Sequence, residues 1–225
     1  KDYTYTNELN TKERGTEHTG DYVGVLDDES FFSIFNSGQA EDSYESDLYW
    51  YKNNKLYQEV LPFYIESRGH IHDAIFTVHR EDDNSNQYHL TQTIISNKAE
   101  LTELMDWRSE VEPFSNLYKN ENKIYFAGEN LNNYEIQLIE LDLEDKTNKS
   151  YSMVSYNNDD EHYDAIPFDV QKSTYLHENT FYYIDGIGTV FATDIKTGET
   201  NEVFNIDDYD SNSDMVNIAW ENNNL

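Results

Sequence analysis

Hydrophobic positions along the chain fall in short runs rich in Phe, Tyr, Ile and Val, with broken alternation, each bounded by Asn, Asp, Gly or Lys. Short β-branched and aromatic runs between turn-forming residues predict strands joined as hairpins. One unit recurs: a hydrophobic strand, a polar Asn/Glu turn, then a second strand rich in Phe, Tyr and Ile. It reads NLYKNENKIYFAG at 116–128, TYLHENTFYYIDG at 174–186 and NIAWENNNL at 217–225. Fainter copies are YVGVLDDESFFSIF at 22–35 and SRGHIHDAIFTVH at 67–79. Superimposing the turn residues Glu29, Asp73, Asn122, Asn179 and Asn223 gives spacings of 44, 49, 57 and 44.

Each copy is followed by another hairpin. These are DLYWYK–NN–KLYQEVL (47–61), YHLTQTII–SNKA–ELTELM (88–105), YEIQLIELDL–EDKTNK–SYSMV (134–154) and TVFATDI–KTGE–TNEVFNI (189–206). Thr197-Gly198 supplies the one easy positive-φ position among these turns. Ser96–Glu110 also reads as a short helix with Leu101, Leu104, Met105 and Arg108 on one face, but the register of the other copies favours a hairpin. Four strands every 44–57 residues is the period of a β-propeller blade, since one four-stranded sheet cannot cover both its faces and must stack on its neighbours. The expected fold is all-β and propeller-like, with blades at about 21–63, 64–112, 113–165 and 166–210 and a partial one at 215–225. A meandering β-sandwich is the alternative. Residues 1–20 are polar and aperiodic, as a tether would be. The last copy stops within its second strand, so either further blades follow or residues 1–12 complete it; the first option is favoured, because one strand cannot replace two or three.

The stretch FYYIDGIGTVFATDIKTGETNEVFNI (181–206) resembles the repeat of quinoprotein-like (PQQ-type) propellers. In that repeat a Gly-containing turn leads to a strand ending in Ala-x-Asp, then Thr-Gly and an outer strand. Ala192, Asp194, Thr197 and Gly198 match; Phe204 lies where the usual outer-strand Trp would be. The resemblance implies a fold rather than a quinone site.

Charge narrows the possible partners. The 225 residues hold 45 Asp+Glu against 15 Lys+Arg, a net charge of −30. The acids are spread evenly, 23 in residues 1–112 and 22 in 113–225. Such a surface repels phosphate backbones and anionic lipid, which argues against nucleic acid and membrane insertion. A cationic partner or a bridging divalent cation is electrostatically easier. The absence of Cys removes disulfides, thiolate metal sites and Cys nucleophiles. Low Pro and Gly with 25 Asn and 19 Tyr resemble surface proteins of low-GC Gram-positive bacteria, and an extracytoplasmic location, secreted or lipid-anchored, is expected, with cytoplasmic residence as the alternative.

Candidate chemistry is sparse. Asp208, Asp210, Asn212 and Asp214 alternate as in a Ca²⁺ loop, although Ser213 replaces the Gly at loop position six and Ala219 the bidentate Glu at twelve. A second acidic cluster spans Asp159–Asp164. His70 and His72 share one face of a strand, about 6.5–7 Å apart by strand rise, a spacing seen in zinc pairs, with His79 and His89 close in sequence. Trp50, Trp107 and Trp220 are candidate sugar-stacking platforms or, alternatively, core residues. There is no G-x-S-x-G, no phosphate-binding glycine loop and no Asp box. The leading expectation is a non-enzymatic binding or scaffold domain that contacts a protein or cell-envelope component through its loops. A carbohydrate-binding propeller comes next, then a glycan-active or metal-dependent enzyme.

Overall fold

Each recurrent unit folds as two successive hairpins of one antiparallel sheet. The computed structural model describes residues 22–27, 30–36, 45–71, 73–80, 85–96, 98–157 and 173–206, and every regular element among them is a β-strand. The first sheet has the order β1 (Tyr22–Asp27), β2 (Ser30–Asn36), β3 (Ser46–Lys52), β4 (Lys55–Leu61). The second runs β5 (Tyr64–Ile71), β6 (Ala74–Arg80), β7 (Gln87–Ile95), β8 (Ala99–Arg108). The third is β10 (Tyr118–Asn120), β11 (Lys123–Asn130), β12 (Glu135–Asp142), β13 (Thr147–Ser155), with β9 (Glu112–Pro113) also paired to β11. The fourth is β14 (Thr174–His177), β15 (Thr180–Ile184), β16 (Thr189–Asp194), β17 (Thr200–Asn205). Residues 99–108 are strand β8, not a helix, and β13 begins at Thr147, which shortens the expected EDKTNK turn.

The chain divides into two compact units, residues 1–65 with 95–100 and residues 66–94 with 101–225. In the first unit, Phe32, Ile34, Leu48 and Trp50 are buried across β2 and β3. Trp50 stacks on Tyr57 of β4, with ring centroids 5.2 Å apart, and its Nε1 donates to the Ser96 carbonyl at 3.0 Å.

In the second unit the third sheet buries both faces. Ile124 and Phe126, paired with Leu141 and Ile139, join Phe76, Val78, Leu90 and Trp107 of the second sheet. Tyr125 and Ala127, with Leu138 and Ile136, join Phe181 and Tyr183 of the fourth. Alternate side chains of one strand thus serve two different apolar layers. A two-layer sandwich covers only one face of each sheet. Consecutive stacking is the propeller solution, and it overturns the sandwich alternative.

Close backbone contacts reinforce this stacking. Between β9 and β10 the chain leaves the edge of β11, and the Leu117 amide donates to the Arg68 carbonyl at 3.0 Å. Gly69 lies against the Leu117 carbonyl with no room for a Cβ.

The turns repeat a hydrogen bond. Leu143 N–H donates to the Asn122 carbonyl and Ile195 N–H to the Asn179 carbonyl, each at 2.9 Å. Asp142 Oδ1 accepts from the Glu144 and Asp145 amides at 3.0 and 3.1 Å, and Asp194 Oδ1 from those of Lys196 and Thr197 at 2.8 and 3.0 Å. These backbone donors hold both carboxyls below the usual range. Positive φ is not confined to Gly198 (74°): Asn53, Asn54, Glu121, Tyr134, Lys146 and Glu178 also adopt it, at 52–59°. Asn53 and Asn54 tolerate this region, whereas at Glu121, Tyr134, Lys146 and Glu178 the pairing imposes the turn against side-chain preference.

Candidate binding pocket

β11 pairs with β12 so that Tyr125 lies opposite Glu140 and Lys123 opposite Asp142. Glu140 is therefore a carboxylate in the interior of a sheet, its side chain 4% exposed. An isolated charge there costs several kcal/mol, so it must be paired. Lys123 Nζ approaches Oε1 to 2.5 Å, while the Tyr125 and Tyr151 hydroxyls donate to Oε2 at 3.2 and 3.4 Å. Lys123 also reaches Asp142 Oδ2 at 3.5 Å. Its pKa is raised, first by the hydrogen bond to Glu140. Burial, then the Glu140 charge, raises the pKa of both tyrosines. Both stay protonated at neutral pH and act as donors.

This network walls a pocket of about 470 Å³ at the turn end of the third and fourth sheets. Asn120 ends β10 and Glu121 begins the β10–β11 turn, Lys149 and Tyr151 come from β13, Asn179 from the β14–β15 turn, and Ile195 and Lys196 from the β16–β17 turn. Asn120 Nδ2 donates to the Glu178 carbonyl at 2.9 Å and ties the two sheets together. The Tyr151 ring lies on Gly198, where a Cβ would collide with it. Lys149 and Lys196 are exposed and form no ion pair among the described residues.

The other repeats lack this network. With the turn residues aligned, the positions equivalent to Glu140 are Trp50, Gln92 and Ala192; those equivalent to Lys123 are Ser30, Ala74 and Thr180. The fold accepts apolar or neutral side chains at both places. The ion pair is therefore local to one sheet and is not required by the repeat.

The residues singled out from sequence lie elsewhere. Trp50 and Trp107 are buried, 1% and 5% exposed, and present no face to solvent. Trp107 stacks on Tyr88 at 5.6 Å and tilts against Phe126 at 6.3 Å. His70 is half-buried on β5. His79 and His89 pair across β6 and β7, rings stacked 5.3 Å apart, with His79 Nε2 3.0 Å from Thr91 Oγ1 and His89 Nδ1 3.3 Å from Glu103. No three His, Asp or Glu side chains among the described residues come together to hold a metal. His72, Trp220, Asp208, Asp210, Asn212, Asp214 and the Asp159–Asp164 cluster lie outside the described residues. Asp194 and Gly198, two of the residues behind the sequence resemblance to PQQ-type repeats, build the β16–β17 turn. Sequence reasoning missed the pocket. Its signal was Glu140 in YEIQLIELDL, an acid inside an otherwise buried run.

The family described as "YycP, beta-propeller domain" matches residues 1–225. The chain belongs to this family. The uncharacterized protein YycP of Bacillus subtilis (strain 168) is 28% identical over 232 residues, covering 99% of this chain and 59% of that protein. The chain thus spans less than two thirds of the length of that YycP relative. Among solved structures, the AfRom2 CNH domain aligns with a TM-score of 0.50 at 9% identity, over 84% of this chain and 55% of that one. BamB from Moraxella catarrhalis gives 0.41 at 10% identity, over 82% and 66%. The AfRom2 likeness bears on fold alone, and it agrees with the YycP propeller assignment.

Proposed function

We propose that this propeller domain is a non-enzymatic, extracytoplasmic binding module whose partner is a component of the bacterial cell envelope. The docking point is the pocket at the turn end of the third and fourth sheets. One observation carries the reading: the Lys123–Glu140 network occurs in one sheet, where the repeat tolerates neutral residues, and it walls a concave, lysine-rimmed site. Glu140 supports binding rather than proton transfer, because an ammonium and two hydroxyls already engage its two oxygens. Turn clusters carried on a rigid repeat are where such folds bind partners.

Co-sedimentation with isolated Gram-positive cell envelopes, before and after protease digestion, tests the reading. Binding to both preparations, weakened by Lys149→Glu/Lys196→Glu, supports a non-protein envelope partner at this site. Loss on digestion assigns the partner to an envelope protein. An absence of sedimentation overturns the proposal.

A further inference from the structure

We infer that the pocket recognises an anionic saccharide, its acidic group held between Lys149 and Lys196; the inference rests on the binding reading above and specifies its ligand. The pocket is rich in lysine for so acidic a chain. Its lining holds three lysines and two glutamates, and Lys123 is engaged by Glu140 and by Asp142 beside the pocket. Lys149, opposite Glu140 in the β12–β13 register, and Lys196, whose charge acts on Asp194, are the two exposed lysines of the lining, in a protein of net charge −30. At physiological ionic strength charges beyond about 8 Å are screened, so these two exposed ammonium groups count for more at the pocket mouth than the remote acids of the chain.

The rest of the lining specifies the remainder of the ligand. Asn120, Asn179 and Glu121 offer amide and carboxylate hydrogen-bonding groups, Tyr125 and Tyr151 contribute rings, and Ile195 is the one aliphatic side chain. A lining so poor in aliphatic surface does not favour an apolar ligand; mixed donors and acceptors beside aromatic rings match a polyhydroxylated one. A volume of about 470 Å³ accommodates one or two sugar rings. The Lys123–Glu140 pair and the hydroxyls on Glu140 keep these walls in place before a ligand arrives, which lowers the ordering cost of binding.

The test is an NMR titration of the domain with D-glucuronic acid, D-glucose 6-phosphate, D-glucose and succinate. It is run on the wild type and on Lys149→Gln/Lys196→Gln, whose exposed positions leave the fold intact. The expected result is that one or both sugar acids shift the amides of residues 120–123 and 195–196, at least tenfold more tightly than glucose or succinate. The double variant should lose at least tenfold for the acids. A preference for glucuronic acid assigns a carboxylate source, and one for the phosphate a phosphorylated glycan. Glucose or succinate binding as tightly as the acids, an unchanged double variant, or shifts confined to other turns would overturn the inference. Envelope co-sedimentation without sugar binding removes this inference and leaves the binding reading standing; sugar binding without co-sedimentation does the reverse.

Discussion

The Lys123 ammonium lies 2.5 Å from a Glu140 oxygen in the middle of β12, where the side chain of Glu140 is almost wholly enclosed. Removing the acid leaves a half-buried cation and two tyrosine hydroxyls without their acceptor. Glu140→Ala is expected to cost about 2–4 kcal/mol in urea unfolding, and Glu140→Gln, which keeps an oxygen acceptor, about 1–2 kcal/mol. Equal stability of all three proteins would show that the pair contributes nothing to the pocket wall.

Gly198 packs against Tyr151, one of the pocket-lining residues. Its φ of 74° and its contact with the Tyr151 ring both oppose a side chain. Gly198→Ala should destabilise by about 1–3 kcal/mol and shift the Tyr151 ring resonances. A variant with wild-type stability and an unmoved Tyr151 would contradict the contact.

The stacked histidines make stability depend on pH. Burial, then the charge of neighbouring His89, lowers the His79 pKa from 6.5 to about 4. Between those values the unfolded chain binds a proton that the folded chain refuses. Stability is therefore full above about pH 6.5 and declines as pH falls toward 4, by on the order of 3 kcal/mol from this group. Urea unfolding across that window should show the slope, and His79→Gln should flatten it.

Trp107 bridges the second and third sheets through Tyr88 and Phe126. Trp107→Ala should cost about 3–5 kcal/mol in chemical unfolding. A change below about 1 kcal/mol would mean that the layer between these sheets tolerates a large cavity.

The fold was legible because its cause is periodic. The aligned turn residues Asn122 and Asn179 are the acceptors of the same repeated hydrogen bond, so their spacing measured a real structural unit. Asp194 in Ala-x-Asp was legible as a motif, and Asp142 performs the same capping without it. Positive φ at Glu121, Tyr134, Lys146 and Glu178 was not legible, since pairing imposes it against side-chain preference. The tryptophans drew attention as candidate platforms by residue type, but exposure decides that role, and Trp50 and Trp107 have almost none. The pocket was hidden because Lys123 and Glu140 stand 17 residues apart and meet only through the β11–β12 register. Lys149, Asn179 and Lys196 join them from three further segments. Only the departure of Glu140 from the repeat was available beforehand.

The most direct test of the whole account is a hydrogen-exchange footprint of the domain bound to a soluble cell-envelope fraction. The account predicts protection concentrated at residues 120–123, 149–151, 179 and 195–196, absent in Lys149→Glu/Lys196→Glu. Protection spread over the outer strands β4 and β8, with those turns unchanged, would contradict it.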